Sequence, residues 1–194
     1  ACKKCADTFS KNSDMLKPFP KGTYKPTLPE KLMITGVLDG DLSGGYPKAL
    51  ELYAVTDIAD LTKYGIDVAS NGKASSSSTI DYYLDAGTLK AGNFYHIGRR
   101  SGAGSGGFDD WFGVAADMYT NGNTFNGDDA IVLYHIDGSD TVTMDVAGAL
   151  GTDGTGEPWE YIDGWLYRKN GKEAKTTFAA VSYTHLRAHE TARH

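Results

Sequence analysis

Apolar and polar residues alternate along this chain in short stretches broken by turn-forming residues, the texture of half-buried strands rather than of helices. From Lys31 an apolar run over 32–38 ends at Asp39-Gly40, and a polar loop over 42–47 follows. Residues 49–55 place Leu50 and Leu52 on one face and Glu51 and Tyr53 on the other, so a strand with one buried side is expected. A further strand over 64–69 runs into Asn71-Gly72, a pair that tolerates positive φ and marks a tight turn. Shorter strands are expected at 82–84 and 94–97, with turns at 85–87 and 91–92 between them. The strongest hairpin joins 131–136 to 141–146 across Asp137-Gly138-Ser139-Asp140, with β-branched residues in both arms. One stretch departs from this texture. Phe108, Trp111, Phe112, Ala115 and Met118 recur at helical spacing and predict an amphipathic helix over 108–118. Many short strands and one short helix together predict an all-β sandwich.

Composition sharpens this picture. The 24 glycines and 12 tyrosines among 194 residues suit tight turns and half-buried strands, and not a helical bundle. Residues 1–30 differ: Pro18, Pro20, Pro26 and Pro29 interrupt a Lys-rich stretch and block continuous helix or ladder, so they are expected to be a linker or the end of a preceding region. A formal net charge of −6 argues against a phosphate-binding surface, and Arg99-Arg100 is the one basic cluster inside the expected domain. No apolar run approaches the length of a membrane span, and no signal peptide is visible. The chain opens at Ala1 and is expected to be a fragment of a longer protein.

Several landmarks then fall in a recognisable order. Lys48-Ala49-Leu50-Glu51-Leu52-Tyr53 is followed by Asp60-Leu61 and Tyr64-Gly65, and then by Leu89-Lys90-Ala91-Gly92-Asn93-Phe94-Tyr95-His96-Ile97. Phe125-Asn126-Gly127-Asp128-Asp129-Ala130-Ile131-Val132-Leu133-Tyr134 is the most specific piece, ahead of residues 142–148 and Trp165-Leu166-Tyr167-Arg168-Lys169. Over residues 31–178 this series resembles the lamin tail domain family, in particular its bacterial and algal members. The resemblance implies an immunoglobulin-like β-sandwich without catalytic residues, of a kind found in bacteria beside secreted nucleases or phosphatases or in surface proteins. Val55-Thr56 stands where the family carries an asparagine, which puts that loop in doubt. A nuclear role by analogy with animal lamins is weaker, since no heptad-rich rod precedes the domain.

Rival chemistry is weighed against this frame. Asn126-Gly127-Asp128-Asp129 reads as a turn whose aspartates accept backbone amides at the entry to a core strand, since two adjacent acids are too few for a metal. Residues 39–44 alternate oxygen side chains as a calcium loop does, but the twelfth position counted from Asp39 is Leu50 and not a glutamate; a polar loop is preferred to a weak calcium site. Gly102 to Gly107 contains a literal G-x-G-x-x-G after a strand and before the expected helix, the context of a dinucleotide fingerprint. No third parallel strand with a crossover helix follows it, and 131–146 reads as a hairpin. Cys2 and Cys5 form a lone C-x-x-C, and His185 and His189 have the spacing of helix-borne zinc ligands. One pair sits at an end with no βαβ unit behind it, and the other in a segment over 181–191 that fits no part of the expected fold and resembles translated sequencing-adaptor read-through. Residues 179–194 are therefore expected to be a non-native tail. His96 and His135 lie inside strands and are read as packing or solvent-facing residues. The aromatic segment 158–165, with Trp159, Tyr161 and Trp165, is either a stacking surface for a glycan or protein partner or a wrap over one sandwich edge; the wrap is preferred.

The expectation is a non-enzyme with no catalytic, cofactor or metal residues and no cofactor: a binding or structural module of a larger extracellular or cell-surface protein, with a protein or glycan partner. The alternative is an accessory domain of a secreted nuclease or phosphoesterase whose catalytic domain lies outside this chain.

Overall fold

Turn residues break the chain into strands too short to bury both faces alone, so they pair and stack. A computed structural model describes residues 30–100 and 107–187, with side chains described as far as His185. The strands are β1 (Leu32–Leu42), β2 (Tyr46–Ala54), β3 (Tyr64–Ala69), β4 (Tyr82–Tyr83), β5 (Phe94–Arg99), β6 (Met118–Thr120), β7 (Ala130–Asp137), β8 (Asp140–Ala147), β9 (Gly164–Arg168) and β10 (Tyr183–Arg187), with α1 at Phe108–Phe112. One sheet runs β10-β9-β1-β2-β5-β6 and the other β4-β3-β7-β8. The β5–β6 pair is parallel and the others are antiparallel. The fold is an immunoglobulin-like all-β sandwich with one short helix.

The alternation in β2 carries through to packing. Leu50, Leu52 and Ala54 face the second sheet and join Tyr64, Ile66, Ile131 and Leu133 in the core, while Glu51 and Tyr53 face outward. In β1 the apolar run has no alternation, and a bulge resolves it. Ile34 pairs with Leu52 and Gly36 with Glu51, so β1 carries one residue more than β2 over this step. The extra residue lets Ile34 and Val37 both enter the core and leaves Thr35 and Gly36 beside Glu51 on the outer face.

Two buried ion pairs brace the sandwich, one between the sheets and one within the six-stranded sheet. Asp145 on β8 is fully buried and pairs with Arg168 on β9, joining the two sheets directly. Asp145 also accepts amide hydrogens from Ile34, Val146 and Lys175. Arg168 donates to the Ile34 and Glu173 carbonyls and to the Tyr183 hydroxyl, whose ring lies 4.6 Å from the guanidinium carbon. At the other end Lys48 pairs with Asp39 and donates to the Phe125 carbonyl, and Asp39 accepts from the Gly127 amide. Gly127 has no room for a side chain: a Cβ there would lie 1.9 Å from the Ile162 nitrogen.

Two sequence expectations change. The helix expected over 108–118 stops at Phe112, because Gly113 adopts φ 69° and its amide closes on the Asp109 carbonyl. Met118 belongs to β6 instead, where it pairs with Ile97. The sandwich does not end at 178. The segment expected to fit no part of the fold supplies β10, which pairs with β9 from Tyr183 to Arg187 and buries Tyr183 against Arg168. In the 39–44 segment, both Asp39 oxygens are engaged, one by Lys48 and the other by the Gly127 amide. The proline-rich stretch, Cys2 and Cys5, residues 101–106 of the glycine run, and His189 lie outside the described residues.

Asp145→Ala is expected to lower unfolding free energy by about 3–5 kcal/mol, because it strands Arg168 in the core without a counter-charge; urea denaturation at neutral pH measures it. Ending the chain after Ala179 removes the Tyr183 ring from Arg168 and exposes the β9 edge, so the unfolding midpoint is expected to fall; an unchanged midpoint would show that β10 adds nothing.

Candidate functional site

The outer face of the six-stranded sheet differs from its core face in one respect: the middle of it is small. Gly36 on β1 and Ala49 on β2 leave a depression flanked by taller side chains from β9, β5 and α1. A Cβ on Gly36 would stand 3.0 Å from the Tyr167 ring, so the glycine is what lets that ring lie across β1. The depression has a volume of 260 Å³ next to α1 and continues toward the β9–β10 connection as a second hollow of 430 Å³. Glu51 and Tyr167 line both.

Aromatic rings border this depression on three sides. Tyr53 touches Phe94 at 5.0 Å between centroids, Phe94 stacks on His96 at 6.3 Å, and His96 meets Phe108 at 6.0 Å. Phe108 then meets Phe112 at 4.6 Å, and Phe112 meets Trp165 edge-on at 5.7 Å. Trp165 stacks on Tyr167 at 5.3 Å with 9° between their planes. The rings therefore form a horseshoe closed at α1 and open toward Lys169 and Lys172, where the second hollow lies.

The polar group inside this horseshoe is Glu51. Its Oε1 accepts the Thr35 hydroxyl at 2.7 Å and its Oε2 faces His96 Nε2 at 3.2 Å. His96 Nδ1 lies 3.5 Å from Asp117 Oδ2. Burial raises the Glu51 pKa, but the hydrogen bonds from His96 and Thr35 outweigh it and hold the carboxyl below its ordinary value. The hydrogen bond to Glu51 raises the His96 pKa against the opposing effect of burial, and the Asp117 charge adds to it. The imidazole is thus favoured as the cation, with each ring nitrogen directed at a carboxylate.

The remaining sequence candidates sit elsewhere. His135 packs edge-on against Tyr64 at 5.0 Å between centroids, away from the depression. In the Asn126–Asp129 turn, Asp129 accepts amides from Asn71 and Asn126, and the Tyr161 amide donates to the Gly127 carbonyl. Arg99 donates to the Asn123 carbonyl and stacks on Tyr46, Arg100 lies over Tyr119, and both line a hollow of 310 Å³ that Asp109 and Asp110 share. The aromatic segment 158–165 divides: Trp159 and Tyr161 are buried, and Trp165 alone reaches the horseshoe. Among the described residues no three His, Cys, Asp or Glu side chains converge as a metal site would require. Glu51, Thr35, Tyr167 and Phe112 were not singled out as site residues by the sequence; the signal for Glu51 was its polar place in a strand otherwise apolar on that side.

No family model, curated protein or solved structure matches this chain.

The two shifts fix a pH window. His96 titrates above its ordinary value of 6.5, so its share of stability is complete below 6.5 and is lost as pH rises through its raised pKa. Glu51 titrates below its ordinary value of 4.5, so its share is complete above 4.5 and is lost as pH falls through its lowered pKa. The pair contributes most between the two. Proton NMR titration is expected to place the His96 midpoint above 6.5 and to return it toward 6.5 in Glu51→Gln; the same midpoint in both proteins would contradict the pairing.

Proposed function

We propose that this chain is a non-catalytic binding module of the lamin tail type, carried by a larger extracellular or cell-surface protein, and that its ligand surface is the aromatic horseshoe around Glu51. One observation carries the reading. The ionisable groups inside the horseshoe are spent on one another: His96 directs both ring nitrogens at carboxylates, and both Glu51 oxygens already accept a hydrogen bond. His96 thus presents no free lone pair to a substrate, and among the described residues Glu51 is the one carboxylate lining either hollow, with no second carboxyl facing it as acid–base partner. A general acid needs a proton near its release point, and Glu51 is held toward the ionised form. What this arrangement does supply is a fixed polar centre within an apolar rim, the composition of a binding site.

The lamin-tail assignment rests on the ordered landmarks, and two of them gain a physical role. The segment 142–148 contributes Asp145 and the segment 165–169 contributes Arg168, which meet as the buried pair between the sheets. The placement outside the cell rests on the resemblance alone.

The purified chain is expected to release no product above buffer from duplex DNA or from an aryl phosphodiester, with magnesium, calcium or zinc supplied. Metal-dependent turnover that disappears in Glu51→Gln would overturn the non-catalytic reading.

A further inference from the structure

We propose that the horseshoe binds the terminal sugar rings of a neutral oligosaccharide, with Glu51 accepting their hydroxyl hydrogens. The proposal rests on the binding-module reading above and names its ligand class.

Shape comes first. The floor is β1 and β2, both interior strands of the sheet, so their backbone amides and carbonyls are already paired on both sides. An extended peptide laid along them would find no ladder to join and would keep its own amides unpaired against an apolar rim. A helical peptide does not fit either. Three strand spacings separate β9 from β5, about 14 Å between backbones before the ring side chains are subtracted, and a helix with side chains is ~10–12 Å across. From Ala49 to Tyr53 the floor runs roughly 14 Å along the strand, and α1 blocks one end of it. A narrow chain whose end enters from the Lys169 side meets these limits.

Chemistry then selects the ligand. A carboxylate presents about four lone-pair sites, and Thr35 and His96 fill two of those on Glu51. The Glu51 side chain keeps 27 % of its exposure, so the others face solvent. A ligand that covers the horseshoe must hydrogen-bond to them or forfeit the hydration of an ionised group, which excludes a lipid or a purely apolar molecule. An anionic group on the floor is repelled by Glu51, since Lys169 and Lys172 stand at the open end and not beside the carboxylate. A quaternary ammonium, which aromatic rims otherwise suit, would compete with the His96 imidazole already 3.2 Å from the carboxylate. Hydroxyl donors remain. A pyranose with equatorial hydroxyls carries them on its edge and presents apolar C–H faces above and below. Those faces suit the aromatic rim that Trp165 and Tyr167 help to form, while the edge suits Glu51. Thr35 and His96 fix the carboxylate before the ligand arrives, so little ordering is left to be done on binding.

Isothermal titration of the whole chain with cellotetraose, xylotetraose and chitotetraose, and with choline as the cationic rival, tests this. At least one tetrasaccharide is expected to bind, with Trp165→Ala and Glu51→Gln each weakening it tenfold or more. Trp111→Ala removes an exposed ring that does not line the horseshoe and is expected to leave affinity unchanged. Circular dichroism of each variant separates lost binding from lost folding. Absence of binding by all three sugars at millimolar concentration overturns the proposal, as does binding that Trp165→Ala leaves intact, or choline binding in their place. Each of these leaves the non-catalytic reading standing. Cleavage of a tetrasaccharide overturns both.

Discussion

The sandwich depends on a charge that cannot be left alone. Asp145 is fully buried between the sheets, and an isolated carboxylate there would cost several kcal/mol in lost hydration. Arg168 and three backbone amides offset part of that cost, burial still holding the Asp145 pKa above its ordinary value, and in doing so they fix how β8, β1 and β9 sit relative to each other. A bulge between Leu133 and Tyr134 in the β7–β8 ladder sets the register at which Asp145 faces Leu133 on the core side. The pair is therefore better understood as a register device than as a source of net stability. Hydrophobic packing of the same volume would hold the sheets at least as tightly, but would not specify which strand position lies opposite which.

That fixed register has a consequence on the far side of the sheet. Arg168 points into the core, so its neighbour Tyr167 must point outward, and with it Trp165 two residues earlier. The bulge in β1 does the complementary thing. It turns Thr35 and Gly36 outward together, one to hold Glu51 and the other to leave space for the Tyr167 ring. The horseshoe is thus the outer face of the same constraints that build the core. A shift of one residue in β9 would exchange Trp165 and Tyr167 for Leu166 and Arg168 and dissolve both at once.

Strands were legible where one face meets the core and the other meets water. Residues 49–55 follow that period, and the hairpin over 131–146 lies where its turn and β-branched arms predict, although β7 is buried on both faces. The helix was over-read because residues 108–118 place apolar side chains at a spacing that two different elements can satisfy. Phe108 and Phe112 come from α1, Met118 comes from β6, and Gly113 between them reverses the chain. The last strand is not expected from the sequence because its segment resembles translated adaptor read-through. Tyr183 is the side chain described as buried in it, and the reason is Arg168, fifteen residues earlier.

The sequence by itself determined the class of fold, the positions of most strands and the structural character of Asn126-Gly127-Asp128-Asp129. These follow from local period and turn chemistry, which act over a few residues. It did not determine the site. Glu51, His96, Phe112, Trp165 and Tyr167 come from three strands and a helix, and each looks ordinary in its own segment. Only pairing of β9 with β1 and of β2 with β5 brings them onto one face. The two buried ion pairs were equally hidden, since the cost of burying a charge belongs to the assembled interior and leaves no trace in the spacing of residues along the chain.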